Sequence, residues 1–535
     1  MSWGHAVSSD LISWEKYSMP ALTPSAEYDC RGIFTGCLSA TDLHGNFSGA
    51  LTALYTSVRH LPIHYTLPYT TGSESLSLAV SGDGGKTWER QSCNPILPGP
   101  PQGLSVTGWR DPYLTNWARQ QPDHPSNCQA PLYGFISGGI VGHGPNIFVY
   151  TVNPTDLRQW QYAGPLVSVG SNFHPSRWSG DFGLNWEVGN FTTLSNDLGH
   201  SRDFAIMGAE GCLRSENSDW TRPGSARERR SARSLLWMSV NSTEENNDEA
   251  LSKYNFGGIF DHGCLYAANS FWDAQTSQRI VYGWVTEEDL PDGPRHSQGW
   301  SGMISLPRVI RLLSLERVKK ARNSPLESIT SIEVMRDPAH PDTFTIHTLG
   351  ISPESRLANL REGAKVRELQ DLPFPTKLAS PVDSNLPLTN RWELEAEVSV
   401  GQLCQRVGIE IAHNIDFSHC TTLAWDPCNE TFTVHRPPVE DKEINHGYES
   451  APHTLFTLVN EQGEEVEETL HVHAFFDKSV LEVFVNGRTV ITTRIYSPSD
   501  QCFGIRFIAE ANENSLAEQP ARLVRANVWD GLKGE

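Results

Sequence analysis

An adjacent arginine and aspartate, Arg110 and Asp111, stand between a glycine and a proline in the run Thr107-Gly-Trp-Arg-Asp-Pro-Tyr113. A guanidinium beside a carboxylate keeps it ionised and acceptor-only, ready to bind sugar hydroxyls or to face a developing positive charge. A second copy, Arg336-Asp337-Pro338, occurs much later. The tripeptide alone therefore reads as a turn with a surface ion pair. What sets the first copy apart is a second candidate carboxyl. Glu187 lies in Asp181-Phe-Gly-Leu-Asn-Trp-Glu-Val-Gly-Asn-Phe191, among a Trp and apolar neighbours, where partial burial would suit it to proton donation. Cleavage or transfer at a glycosidic bond needs two such carboxyls. Metal chemistry has no comparable support. His60 and His64, and His471 and His473, are spaced like ligand pairs but lack an accompanying carboxylate cluster in the sequence, and they read as solvent-facing. No metal and no cofactor is expected.

The elements that must hold these residues read as all-β. From residue 30 to about 310, short β-like runs such as Ala50–Tyr55, Leu132–Ile136, Asp203–Gly208, Leu235–Val240 and Arg279–Val285 alternate with Gly, Pro, Asn and Asp turns. A turn followed by a Trp recurs at Asp10-Leu11 before Trp14, at Asp83-Gly-Gly before Trp88 and at Asp156-Leu157 before Trp160, each expected to plug a sheet edge. This spacing fits a β-propeller, whose radial blades leave a central channel as the natural site. Residues 213–234, with Arg227, Arg229, Arg230 and Arg233, interrupt the pattern and read as a solvated loop. From about 309 to 370 a basic stretch, Glu316–Arg322, and a helix-like run, Arg356–Glu362, read as a connector. Beyond it Trp392–Val400 and Thr469–Phe476 alternate with period two, and Asn486-Gly487 between two apolar runs marks a hairpin. The C-terminal third is read as a β-sandwich. The expected division is a propeller over 1–320, a connector over 321–370 and a sandwich over 371–535.

Composition narrows the partners. Forty-two basic against 63 acidic residues give a net charge of -21, which argues against nucleic acid. No apolar run is long enough for a membrane span, and the first residues carry no charged-then-apolar leader. Ten Cys occur without a C-x-x-C pair, leaving a few disulfides and buried free thiols as equal readings. Sequons at Asn46, Asn190, Asn241 and Asn429 favour secretion mildly.

Several motifs, in order, resemble family 32 of the glycoside hydrolases, which holds invertases, inulinases and fungal fructosyltransferases. Trp3-Gly-His-Ala-Val-Ser-Ser-Asp-Leu-Ile-Ser-Trp14 resembles the family's early blade-one motif, Phe34-Thr35-Gly36 its Phe-Ser-Gly, and Trp109-Arg-Asp-Pro112 its Arg-Asp-Pro. Phe182-Gly-Leu-Asn-Trp-Glu187 resembles the acid/base segment, and Gly299-Trp-Ser-Gly-Met-Ile-Ser-Leu-Pro-Arg308 its Gly-Trp-Ala-Gly segment. The resemblance implies a five-bladed propeller followed by a β-sandwich. It implies Asp111 as transition-state stabiliser with Arg110 beside it, Glu187 as general acid/base, and Phe34, Thr35 and Trp300 shaping the sugar pocket. Glu210, in Met207-Gly-Ala-Glu-Gly211, is similar to an acceptor-side Glu of the fungal fructosyltransferases. Val188-Gly189 stands where the family often has Cys-Pro after the acid/base.

The family's nucleophile is the Asp of an Asn-Asp-Pro-Asn-Gly segment that precedes the Trp-Gly-His-Ala motif, and Asn-Asp-Pro occurs nowhere in these 535 residues. The expectation is a chain truncated at its N-terminus, with an incomplete first blade and a secreted full-length form. The expected activity is that of a glycosidase or fructosyltransferase acting on sucrose or fructans by retaining double displacement. The alternative is an inactive sucrose- or fructan-binding propeller. A sialidase-like propeller ranks third, because no Arg triad accompanies the Asp-Gly-Gly-Lys-Thr-Trp turn. Thr107-Gly108 and the Glu210 segment lean slightly towards transfer over hydrolysis. Oligomeric state is not addressed by the sequence.

Overall fold

The computed structural model describes residues 1–118, 131–213, 224–242, 250–337, 340–374, 389–437, 439–497, 502, 504–511 and 519–534. Cys128, Pro338 of the second Arg-Asp-Pro, and residues 214–223 of the polar segment lie outside these. The chain forms a five-bladed propeller joined to a β-sandwich. The first blade is a two-stranded sheet of β1 (Ala6–Val7) and β2 (Glu15–Lys16). Three four-stranded antiparallel sheets follow in chain order. They comprise β3 (Gly32–Ser39), β4 (Leu51–Val58), β5 (Glu74–Ser81) and β6 (Glu89–Arg90); β7 (Val106–Asn116), β8 (Leu132–Ile140), β9 (Gly144–Val152) and β10 (Trp160–Pro165); and β11 (Asn185–Ser195), β12 (Ser201–Glu210), β13 (Arg233–Ser242) and β14 (Ser252–Asp261). The fifth is built on β15 (Leu265–Asp273), β16 (Gln278–Val285), the short β17 (Met303–Ile304) and the long β18 (Arg308–Ala321). Among the described residues no helix is long and apolar enough to cross a membrane.

Large rings fill the spaces between blades, which accounts for much of the aromatic content. Phe135 of β8 stacks on Phe191 of β11 at 4.6 Å, with Trp117 against both. Trp109, Trp117 and Trp186 are fully buried. Two of the three turn-plus-Trp units share a geometry, the indole N–H of Trp14 reaching the carbonyl of Leu11 and that of Trp160 the carbonyl of Leu157, whereas the Trp88 indole N–H makes no such bond. Their outcomes differ. Trp160 covers Gly134 on β8, whereas Trp14 is half exposed instead of plugging a sheet, because the two-residue strands of the first blade offer little surface to pack on.

The sandwich consists of a six-stranded sheet (Lys365–Pro373, Ala521–Asp530, Arg391–Val400, Leu470–Asp477, Val480–Val485, Thr489–Arg494) and a five-stranded sheet (Glu449–Pro452, Thr431–His435, Cys420–Asp426, Cys404–Ala412, Gly504–Ala511). Inward residues such as Trp392, Leu394, Ile409, Trp425, Val483 and Ile505 form one core. Asn486 and Gly487 turn the hairpin with φ of 47° and 62°, as a tight two-residue turn requires. The basic stretch read as a connector is the second half of β18, which pairs with Phe344–Pro353 and with Phe456–Val459 of the sandwich side. The sheet of the sandwich starts at Lys365, and Ser355–Arg361 is a short 3-10 helix.

Three expectations need correction. Two of the arginines in 213–234 are not solvated: Arg230 is buried between Asp289 and Glu449, and Arg227 donates to the carbonyls of Asp261 and His262, whereas Arg229 is exposed as expected. Arg227 and Arg230 each sit where propeller meets sandwich, and a buried guanidinium is tolerated there because acids and carbonyls face it. His471 and His473 meet Glu395 and Glu393 across the sheet at 3.0 and 2.6 Å instead of facing solvent alone. Asn190 is buried, donating to the carbonyls of Val188 and Ala268, so its sequon is sterically closed. The nine described cysteines are free thiols.

Candidate active site

The innermost strand of each complete blade breaks its pairing at the channel. Register slips occur at Ile33/Gly36 in β3, Arg110/Tyr113 in β7, Glu187/Asn190 in β11 and Tyr266/Asn269 in β15. A bulge leaves a residue unpaired and re-aims its side chain. At three of the four the bulged residue has positive φ: Asp111 at 63°, Val188 at 48° and Ala267 at 48°. For residues with a Cβ this costs on the order of 1–2 kcal/mol each, a strain held where side chains must point into a site. Gly36 serves the first bulge because a Cβ there would lie 1.9 Å from the Leu54 carbonyl oxygen.

These bulges gather the predicted carboxylates. Arg110 is the hub. Its Nε pairs with the fully buried Glu74, and its Nη1 donates to Glu187 Oε1 at 2.9 Å. Glu74 also accepts from the Trp109 backbone N–H at 2.9 Å, fixing the strand on which Arg110 rides. Asp111 Oδ2 accepts from the Val188 N–H at 2.9 Å, tying it to the residue after Glu187. Its own N–H donates to Thr56 Oγ1 at 2.7 Å, and the Thr56 hydroxyl donates to the Thr35 carbonyl at 3.2 Å. The Phe34–Thr35 bulge is thereby linked to Asp111. The second oxygen of Glu187 accepts from the Tyr266 hydroxyl at 3.0 Å. Glu210 accepts from Asn185 Nδ2 at 2.9 Å, and Asn185 Oδ1 accepts from the Thr107 hydroxyl at 2.8 Å.

Four carboxyls around Arg110 crowd negative charge. Contrary to the expectation from sequence, Asp111 is not held ionised by its neighbour: burial, reinforced by the charge of Glu187, pushes it up to about 7 against the opposing pull of Arg110 and the Val188 N–H. Burial and Glu187 likewise push Glu210 up to about 7. Burial and the adjacent Glu187 raise the Tyr266 phenol well above its ordinary value, so it stays protonated and can donate to Glu187. Arg110 stays charged: burial opposes its charge, but Glu74, Glu187 and Asp111 together hold it above its usual value. The cluster can face a growing positive charge with a carboxylate, carry a proton at neutral pH and donate hydrogen bonds to hydroxyls.

Asp111, Arg110, Glu187 and Glu210 therefore lie together, with Phe34 and Thr35 beside them. Trp300 does not join this cluster. It is partly exposed at the rim, where the Arg494 guanidinium of the sandwich lies 5.0 Å over its ring. Glu74, Tyr266 and Asn185 were not singled out from sequence, and Arg233, read there as part of a solvated loop, lies over the Tyr266 ring at 4.4 Å. Glu74 opens an ordinary-looking Ser/Leu strand and Tyr266 an apolar one, and only their pairing across blades reveals them; the small pair Ala267-Ala268 after Tyr266 is the sole local hint of a bulge.

Residues 1–325 match the glycosyl hydrolases family 32 N-terminal domain, and residues 357–530 match the C-terminal domain of the same family. An insoluble isoenzyme of beta-fructofuranosidase from Arabidopsis thaliana is 24% identical over 502 residues, covering 92% of this chain and 81% of that protein. Fructan 1-exohydrolase w1 of Triticum aestivum is 25% identical over 576 residues, covering 100% and 81%. Among solved structures, the Aspergillus kawachii beta-fructofuranosidase complexed with glycerol superimposes with a TM-score of 0.83 at 26% identity, covering 99% of this chain and 88% of that one.

Proposed function

The chain belongs to glycosyl hydrolases family 32, and from that premise we propose that its channel binds the fructosyl unit of sucrose or a fructan and is built for retaining transfer of that unit to water or to a second sugar. The observation that carries the reading is the Arg110–Glu187 bridge together with the Val188–Asp111 hydrogen bond, which bring the two carboxyls side by side. Glu187 is the acid/base. It protonates the departing glycosidic oxygen and later takes a proton from the incoming hydroxyl, so the C–O bond breaks without expelling an alkoxide. Its two oxygens are held by Arg110 and Tyr266, which orient it through both steps. Asp111, with Arg110 beside it, holds fructosyl hydroxyls and opposes the positive charge at the anomeric carbon. Phe34 and Thr35 wall the pocket, Glu210 faces the acceptor side, and Trp300 contributes at the rim. No cofactor enters the scheme.

The nucleophile is the open part. Asn-Asp-Pro does not occur in the 535 residues, and this favours a second reading in which the chain binds the sugar without turning it over. Calorimetric titration with sucrose and 1-kestose, run beside a fructose-release assay, separates the two. Binding with turnover lower by several powers of ten than a complete retaining glycosidase fits a transfer site lacking its nucleophile; absence of binding contradicts both readings. An extracellular setting is consistent with the exposure of Asn46, Asn241 and Asn429, three of the four sequon asparagines.

A further inference from the structure

The rim of the channel is wired to the sandwich through three consecutive acids that follow β16. Glu287 pairs with Arg494 and accepts from the Tyr496 hydroxyl at 2.7 Å, both residues of the sandwich. Glu288 pairs with Arg233 of β13. Asp289 is held by Arg230 and, at 2.8 Å, by Arg436 of the sandwich. Beyond these acids the chain runs through a short helix (Asp292–Gln298) to Trp300, and the Gly302 N–H returns to Glu287 Oε2 at 3.4 Å. Gly302 lies against Trp284, where a Cβ would come within 2.1 Å of the indole nitrogen.

Two tryptophans stand out on this rim, Trp284 at 40% and Trp300 at 44% exposure. Trp284 leads inward. The Arg233 guanidinium lies 5.5 Å from its ring and 4.4 Å from the ring of Tyr266, whose hydroxyl donates to Glu187. Trp300 lies outward, its ring beneath Arg494, which is itself 3% exposed. Arg233 and Tyr266 therefore connect the Trp284 ring to the acid/base carboxyl, while Trp300 is tied to Arg494. Trp300 thus stands outside the carboxylate cluster, on the side of the channel that the sandwich holds. Exposed indole faces fixed by a cation are suited to stacking on the apolar face of a sugar ring.

We infer that Arg494 and Tyr496, through Glu287, are positioning residues by which the sandwich sets the Trp284–Trp300 rim, so that it recognises sugar units of a fructan beyond the first two. The inference rests on the proposed fructosyl-binding function and names its specificity determinant. Neither Arg494 nor Tyr496 touches the catalytic cluster. Glu287 is buried, so removing Arg494 alone would strand its charge. The informative variants are therefore Tyr496→Phe and the charge-balanced double variant Glu287→Gln/Arg494→Met.

The test is calorimetric titration of the whole chain and both variants with sucrose, 1-kestose and a longer inulin-type oligosaccharide, with near-ultraviolet circular dichroism as the check on folding. The expected result is a loss of about five- to tenfold in affinity for the longer oligosaccharide in the double variant and a smaller loss in Tyr496→Phe, with sucrose affinity changed by less than about twofold in both. A folded variant that binds the longer sugar as tightly as the parent overturns the inference. So does a loss of equal size for sucrose and oligosaccharide, which a merely structural role would give. If the unsubstituted chain binds none of the three, the proposed function fails first and the rim inference falls with it.

Discussion

At the scale of single residues, the site is defined by excess negative charge gathered on one guanidinium. Asp111 is the member whose titration has a measurable consequence. Its native value is raised to about 7 from the ordinary 3.8 of an aspartate. Between those limits the native state holds a proton that the unfolded state has lost, so stability falls as pH rises through the window. Asp111→Asn keeps an oxygen for the Val188 N–H and removes the charge. It should raise unfolding stability by on the order of 1–3 kcal/mol at pH 8 and by little at pH 4, as read from urea titrations at the two values. A gain independent of pH would show that Asp111 is not the strained charge. Glu74→Gln works in the opposite direction. It leaves Arg110 short of its buried partner, and should cost on the order of 3–5 kcal/mol of stability while weakening sucrose binding. Unchanged binding in a folded Glu74→Gln protein would remove Glu74 from the site.

At the scale of elements, the bulges of the innermost strands decide which residues face the channel. Gly36→Ala tests one directly, because the added methyl meets backbone that cannot yield. It should cost on the order of 2–4 kcal/mol and abolish sugar binding, measured by thermal unfolding and calorimetry. Asn190, locked to two carbonyls, should carry no glycan in protein secreted from a eukaryotic host. Peptide mass spectrometry that found one there would contradict its buried placement. The propeller and sandwich were legible from turn spacing, period-two strands and Asn486-Gly487, since these are local signals. Asp111 and Glu187, which the structure brings side by side, were proposed from motifs in order. Glu74 and Tyr266 were not, because each becomes functional only by meeting a residue on another blade. Arg227 and Arg230 misled for the same reason. Charge runs read as solvated when their partners are distant in sequence, and Arg230 meets Glu449 across the domain boundary. Nor does sequence announce positive φ at a β-branched residue such as Val188.

At the scale of the molecule, buried arginines bind propeller and sandwich into one unit. Arg308 of β18 bridges Asp261 of the fourth blade and Glu482 of the sandwich with no exposure to solvent. Arg308→Met strands both acids, and calorimetric unfolding should fall in midpoint, with a loss on the order of 3–5 kcal/mol. An unchanged midpoint would mean that the domains are held by packing alone. The same joint places the sandwich at the rim of the channel, so the whole fold, not the propeller alone, shapes what the carboxylates meet. The central proposal is that these carboxylates form a fructosyl-transfer site, in a sequence where Asn-Asp-Pro does not occur and an external nucleophile can therefore take the attacking role. It is tested most directly by incubating the chain with 4-nitrophenyl β-D-fructofuranoside and sodium azide. Azide attacks the anomeric carbon from the empty face, a C–N bond forms, the C–O bond breaks and 4-nitrophenolate leaves with the electron pair. The account predicts nitrophenolate release that depends on azide, is lost in Asp111→Ala, and yields fructosyl azide of inverted configuration. Rapid release without azide and with retained configuration, or no release under any condition, would contradict it.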